Sequence, residues 1–140
     1  MKYVKVFIIF FLVVCCIVIG KEVYWARANL IIPLAKTELN EMINDEIFLV
    51  IIHDEKSDLE QDLPELRSAL IATRTKVYSF GLNEASDEIK EYLFSQNMAM
   101  SLPVICIFSK GTLGIQYYKS IGALDKAMMM HIFEQYKSHN

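Results

Sequence analysis

Hydrophobic positions follow two patterns along the 140 residues. From Val6 to Gly20 the chain reads Val-Phe-Ile-Ile-Phe-Phe-Leu-Val-Val-Cys-Cys-Ile-Val-Ile-Gly, a run of 15 residues without a charge. Lys2 and Lys5 precede it, and Lys21, Glu22 and Arg27 follow. Beyond Gly20, apolar residues come in short clusters at strand or helix spacing, separated by polar and turn-forming residues.

The second pattern predicts a succession of elements. Asn29 to Pro33 suits a short edge strand closed by proline. Thr37 is placed to cap a helix through about Asn44, with Leu39, Met42 and Ile43 inward. Ile47 to Ile52 is apolar without alternation, as in a strand covered on both faces. Ser57-Asp58-Leu59-Glu60 has the form of a capping box, and Leu59, Leu63, Leu66 and Leu70 follow at helical spacing. Pro64 lies beyond the first turn of that helix and should kink it. Lys76 to Leu82 is a second inner strand, with Tyr78, Phe80 and Leu82 on one face. A helix from Ser86 or Asp87 to Gln96 buries Ile89, Tyr92 and Leu93. Pro103 to Phe108 is a third apolar strand, the turn Ser109-Lys110-Gly111-Thr112 follows, and Leu113 to Lys119 pairs back. A last helix from Ala123 to about Lys137 carries the stripe Leu124, Met128, Ile132 and Tyr136. The order β-α-β-α-β-α-β-β-α predicts an α/β fold of three layers with a mixed sheet in the middle.

The first pattern divides the chain. A basic start and an apolar run make residues 1–20 a signal anchor or a signal peptide. Fifteen residues sit at the edge of both classes, since a spanning helix takes about 17–25 and a signal core about 7–15. Residues 21–28 are then a juxtamembrane linker and 29–140 the folded domain. Lys2 and Lys5 would stay in the cytoplasm. The domain is thus expected outside it, anchored through residues 3–20, or secreted, periplasmic or luminal after cleavage.

Composition adds mainly exclusions. Apolar residues make up 54%, the excess lying before Gly20, and the formal charge is −3 with both signs interspersed. The absence of a basic stripe with interleaved aromatics argues against a nucleic-acid partner. Spacings for phosphate loops, dinucleotide sites and zinc are missing, and no metal or cofactor is expected. His53 beside Asp54 and Glu55 has no second histidine at ligand spacing. The acidic group Asp54, Glu55, Asp58, Glu60 and Asp62 suits the start of a helix.

From about Leu30 to Tyr136 the chain resembles the thioredoxin superfamily. The likeness rests on Pro64 within the helix after the central strand and on the stretch Ser101-Leu102-Pro103-Val104-Ile105-Cys106-Ile107-Phe108-Ser109-Lys110-Gly111. Gly122-Ala123-Leu124-Asp125-Lys126 adds the entry to the last helix. The interval from Gly111 to Gly122 is longer than usual for the family, which implies an extended or bulged hairpin. The resemblance implies a cis Leu102–Pro103 bond, which in redox members faces the active cysteines and leaves nearby backbone free for an extended substrate.

The redox pattern itself is missing. Family members place Cys-x-x-Cys where that helix begins, because its N-terminus stabilises a thiolate and a second thiol resolves the mixed disulfide. Those positions fall near Lys56 and Leu59, and no cysteine lies between Lys21 and Ile105. The family's buried acid would fall near Val50. Cys106, between Ile105 and Ile107, suits a core position. The sequence therefore predicts no catalytic residue and a non-catalytic module that binds a protein or peptide, as an accessory to folding or assembly of exported proteins. The expected contact surface is His53, Asp54, Glu55, Lys56 and Ser57 with Leu102 and Pro103. Two alternatives are a thiol-disulfide oxidoreductase working through Cys106 or an intermolecular disulfide, and a structural subunit of a membrane complex.

Overall fold

The structure, a computed structural model, describes residues 1–45, 47–54, 56, 58–95, 102–108, 115–120 and 125–138. Helix α1 runs from Lys2 to Arg27. Its large apolar side chains from Tyr3 to Ile19 are all exposed. A helix apolar on every side and buried nowhere is stable only in a nonpolar solvent. At a rise of about 1.5 Å per residue, residues 3–20 extend roughly 27 Å, close to the ~30 Å of a bilayer's hydrocarbon. The helix is long and apolar enough to be a signal or a membrane anchor. The linker expected over residues 21–28 is instead mostly helical. Lys21 to Arg27 continue α1, and only Ala28 turns to extended backbone.

The last two turns of α1 are held by the rest of the chain. Glu22 pairs with Arg74 at 2.8 Å, and the Arg67 guanidinium donates to the Ala26 and Ala28 carbonyls at 2.7 and 3.3 Å. Trp25 and Ala28 pack against a core cluster that includes Leu30 and Val77. These contacts, absent from any local reading of the sequence, keep residues 21–27 helical.

Among the described residues five strands follow, β1 (Ile31–Pro33), β2 (Phe48–His53), β3 (Val77–Gly81), β4 (Val104–Phe108) and β5 (Ile115–Ser120), in the spatial order β1-β3-β2-β4-β5. β1, β3 and β2 are parallel, whereas β4 and β5 are antiparallel to their neighbours. A register shift between Ile107 and Phe108 marks the β4–β5 pairing. In β2 the residues from Phe48 to Ile52 are all buried. Successive side chains point to opposite faces, so Phe48, Val50 and Ile52 enter one cluster while Leu49 and Ile51 enter the other.

Helices cover both faces. α4 (Leu66–Thr73) and α6 (Lys126–Ser138) pack on the Leu49–Ile51 side through Leu66, Ala69, Leu70, Met129, Ile132 and Phe133. α2 (Lys36–Asp45) reaches the other side through Met42, alongside Leu34, Leu82 and Ala85. α5 (Asp87–Ser95) leads from β3 toward β4.

Several local expectations shift. Pro64 does more than kink its helix. It separates α3 (Leu59–Asp62) from α4, with Leu63 leaving helical backbone between them. The residue capping α3 is Asp58, whose carboxylate accepts from the Glu60 N–H at 3.1 Å. Ser57 lies outside the described residues. α2 starts at Lys36, so Thr37 is inside it, and the Glu38 carboxylate reaches back to accept from the Ala35 N–H at 2.9 Å. α6 starts at Lys126, with Asp125 accepting from the Met128 N–H at 2.8 Å. Its buried residues are Met129, Ile132 and Phe133; of the expected stripe Ile132 is buried, while Met128 and Tyr136 are half-buried. Leu124, the Ser109–Thr112 turn, Ser101 and Gly122 are outside the described residues.

Candidate functional site

The parallel strands all end at one edge of the sheet, and His53 closes β2 there. Its ring is half-buried. Nδ1 lies 2.8 Å from the Asp54 carbonyl. A carbonyl only accepts, so Nδ1 donates to it. The β2–β4 ladder ends at Ile52 opposite Val104. One step further, antiparallel register brings His53 across from Pro103.

The Leu102–Pro103 bond is cis. Pro103 is buried, and Leu102 is half-buried against the cluster of Phe48, Val50 and Ile52. Asp54 and Lys56 are exposed. Of the seven expected contact residues, His53, Asp54, Leu102 and Pro103 thus share one edge, with Lys56 just beyond. Glu55 and Ser57 lie outside the described residues.

A cleft of about 620 Å³ opens on the opposite side of His53 from the proline, between β1, β3 and the loops that follow them. Leu34 and Ala35 form one wall, Gly81, Asn83 and Glu84 another, and Glu38, His53 and Ser79 contribute further polar groups. Gly81 lines it beside His53. A Cβ added there would stand 3.8 Å from His53 Cε1, so a larger side chain would enter the recess. Sequence reasoning missed Glu38, Gly81, Asn83 and Glu84. The available signal was topological: parallel sheets bind ligands beyond the carboxyl ends of their strands, and Asn83 and Glu84 stand just past β3.

No cysteine belongs to this edge. Cys106 pairs with Val50 in mid-strand and is wholly buried. Desolvation pushes its thiol far above the ordinary cysteine range. Cys15 and Cys16 are on α1. Among the described residues, no group of three or more His, Cys, Asp or Glu side chains is arranged to hold a metal ion.

No protein-family model matches the chain, and no curated protein sequence matches it. Solved structures do. A mutant thioredoxin from Halobacterium salinarum superposes with a TM-score of 0.51 at 17% identity, over 76% of this chain and 89% of that one. A second protein with a thioredoxin fold gives 0.53 at 14% identity, over 81% and 97% of the two chains. A yeast mitochondrial 1-Cys peroxiredoxin gives 0.51 at 10% identity, over 75% and 94%. The chain has the thioredoxin fold, preceded by an apolar helix.

Proposed function

We propose that this is a non-catalytic, extracytoplasmic thioredoxin-like module that binds a protein or peptide, serving folding or assembly of exported proteins. The observation that carries the reading is a formed cleft on the side of His53 away from Pro103, with no cysteine among its lining residues. Glu38 and Glu84 give the recess an acidic rim, which favours a partner segment bearing a basic side chain. The exposed Asp54 and Lys56 extend the contact surface past the strand end.

Gly81→Phe tests this. The Gly81 backbone (φ −72°, ψ 148°) accepts any residue, and the new ring would fill the cleft. With the full chain in native membranes and a photocrosslinker at Asn83, the crosslinked partner should disappear in the Gly81→Phe protein while its circular dichroism is unchanged. Equal crosslinking by a folded variant would sink the cleft as the binding site. Insulin reduction that vanishes on Cys106→Ala would instead support a thiol enzyme.

The exposed apolar surface of α1 favours one second reading, a structural subunit of a membrane complex. Replacing residues 3–20 by an unrelated spanning sequence separates the two. Partner loss in that chimera, with Gly81→Phe silent, would favour the structural role.

A further inference from the structure

Cationic side chains gather where α1 meets the domain. Lys21 is the first charge after the apolar run. Arg74 reaches Glu22. Lys76 Nζ lies 3.5 Å from the Tyr24 hydroxyl and 5.9 Å over its ring. Lys137 donates to the Thr73 carbonyl at 2.7 Å, one residue from Arg74. Of these four cations, Arg74 has an ion-pair partner in Glu22, while Lys76 and Lys137 contact a tyrosine and a backbone carbonyl, in a chain whose overall charge is −3. Arg27 and Arg67 add two more cations along the same end of α1.

Their depth is set by α1 itself. Glu22 is about 3 Å and Tyr24 about 6 Å along the helix from Gly20, at ~1.5 Å per residue. The headgroup layer on each side of a bilayer is roughly 5–7 Å thick. Arg74 and Lys76 therefore reach α1 within the headgroup zone when the apolar run fills the hydrocarbon. Tyr24 and Trp25 stand where interfacial aromatics are usual. Arg74 also occupies a left-handed position (φ 53°, ψ 47°) at the end of α4, where glycine is the unstrained choice. A cation is held there against backbone preference.

We propose that this basic foot binds anionic phospholipid headgroups around the emerging α1. The proposal rests on the reading of α1 as a membrane span. Arg74, Lys76 and Lys137 are exposed, so phosphodiester oxygens can approach them. Each cation near an anionic surface contributes about a fivefold preference at most.

The test uses the full chain in phosphatidylcholine vesicles containing one-fifth phosphatidylglycerol. Spin-labelled lipids report which headgroup is immobilised at the protein. The wild-type chain should select phosphatidylglycerol several-fold over phosphatidylcholine, and ~0.5 M salt should remove most of that preference. Arg74→Gln/Lys76→Gln/Lys137→Gln should bring the ratio close to one, whereas Lys90→Gln/Lys126→Gln should leave it intact. Arg74→Gly relieves the left-handed backbone and keeps a folded test if the triple variant unfolds; it should lower selectivity on its own. Alkaline carbonate extraction of the same vesicles checks the span. A chain that is extracted refutes the span. A chain that resists extraction yet shows no salt-sensitive selectivity overturns the basic foot alone.

Discussion

Cys106 gives the sharpest test of whether sulfur matters in this chain. Its side chain is wholly buried among Val50, Ile52 and Val104 in a strand paired on both sides. Cys106→Ala removes one sulfur atom and leaves a small void, which should cost about 1 kcal/mol, near the value for a buried methylene. Cys106→Ser is almost the same size as alanine but brings a hydroxyl. The cluster around it is apolar, and leaving a buried donor unpaired costs about 1–3 kcal/mol. Serine should therefore be less stable than alanine by that amount. Urea unfolding of the full chain in mild non-ionic detergent measures both, with the single tryptophan, Trp25, as the fluorescent probe at the core boundary. The sign of a pH effect follows as well. Burial raises the folded thiol above its ordinary 9.0, so its contribution is present below pH 9 and is lost as pH rises. The unfolded thiol ionises first, and stability should fall by about 1.4 kcal/mol per pH unit above that point. Cys106→Ala should lack this component. A serine variant as stable as the alanine one, or a Cys106 thiol that reacts with aromatic disulfides at neutral pH without unfolding, would refute the core assignment and reopen thiol chemistry.

Two further outcomes probe the fold beneath the site. Phe133→Ala should cost about 3–5 kcal/mol by opening a cavity between α6 and the sheet, read as a lower urea midpoint; Phe133 is fully buried. Asp125→Ala removes the carboxylate that accepts from the Met128 N–H and should cost about 1 kcal/mol, with faster amide exchange confined to the first turn of α6.

The strands were the most legible part of the sequence. Ile47 to Ile52 and Pro103 to Phe108 are apolar at every position, which a strand covered on both faces requires, and they form β2 and β4. Helix details were less legible because several patterns compete. Met128, Met129 and Met130 are equivalent by composition, and only the packing of α6 on the sheet selects Met129 for burial. Pro64 announced a disturbance, but whether a helix bends or divides depends on what Leu63 can bury, and here Leu63 is core. Lys21 and Glu22 suggested the end of α1, yet Arg74 and Arg67 extend it from afar. The cleft was hidden for a similar reason. Its walls come from β1, β3 and the segments after them, with His53 from the end of β2, and no linear spacing links Glu38, His53 and Glu84.

The unbroken passage of α1 into the domain has a mechanical consequence. The joint is only Ala28 and Asn29, and Arg67 grips the helix just before it. If α1 spans a bilayer, such a joint would make the chain a lever and not a ball on a string, and tilting the apolar helix would swing the sheet with it. α1 meets the sheet where β3 begins, at Lys76 and Val77, while the cleft opens where β3 ends, at Gly81. The recess is thereby carried roughly a strand length, about 17 Å, from the point of attachment. A partner would meet it at a fixed bearing, and bilayer thickness would set that bearing through the tilt of α1.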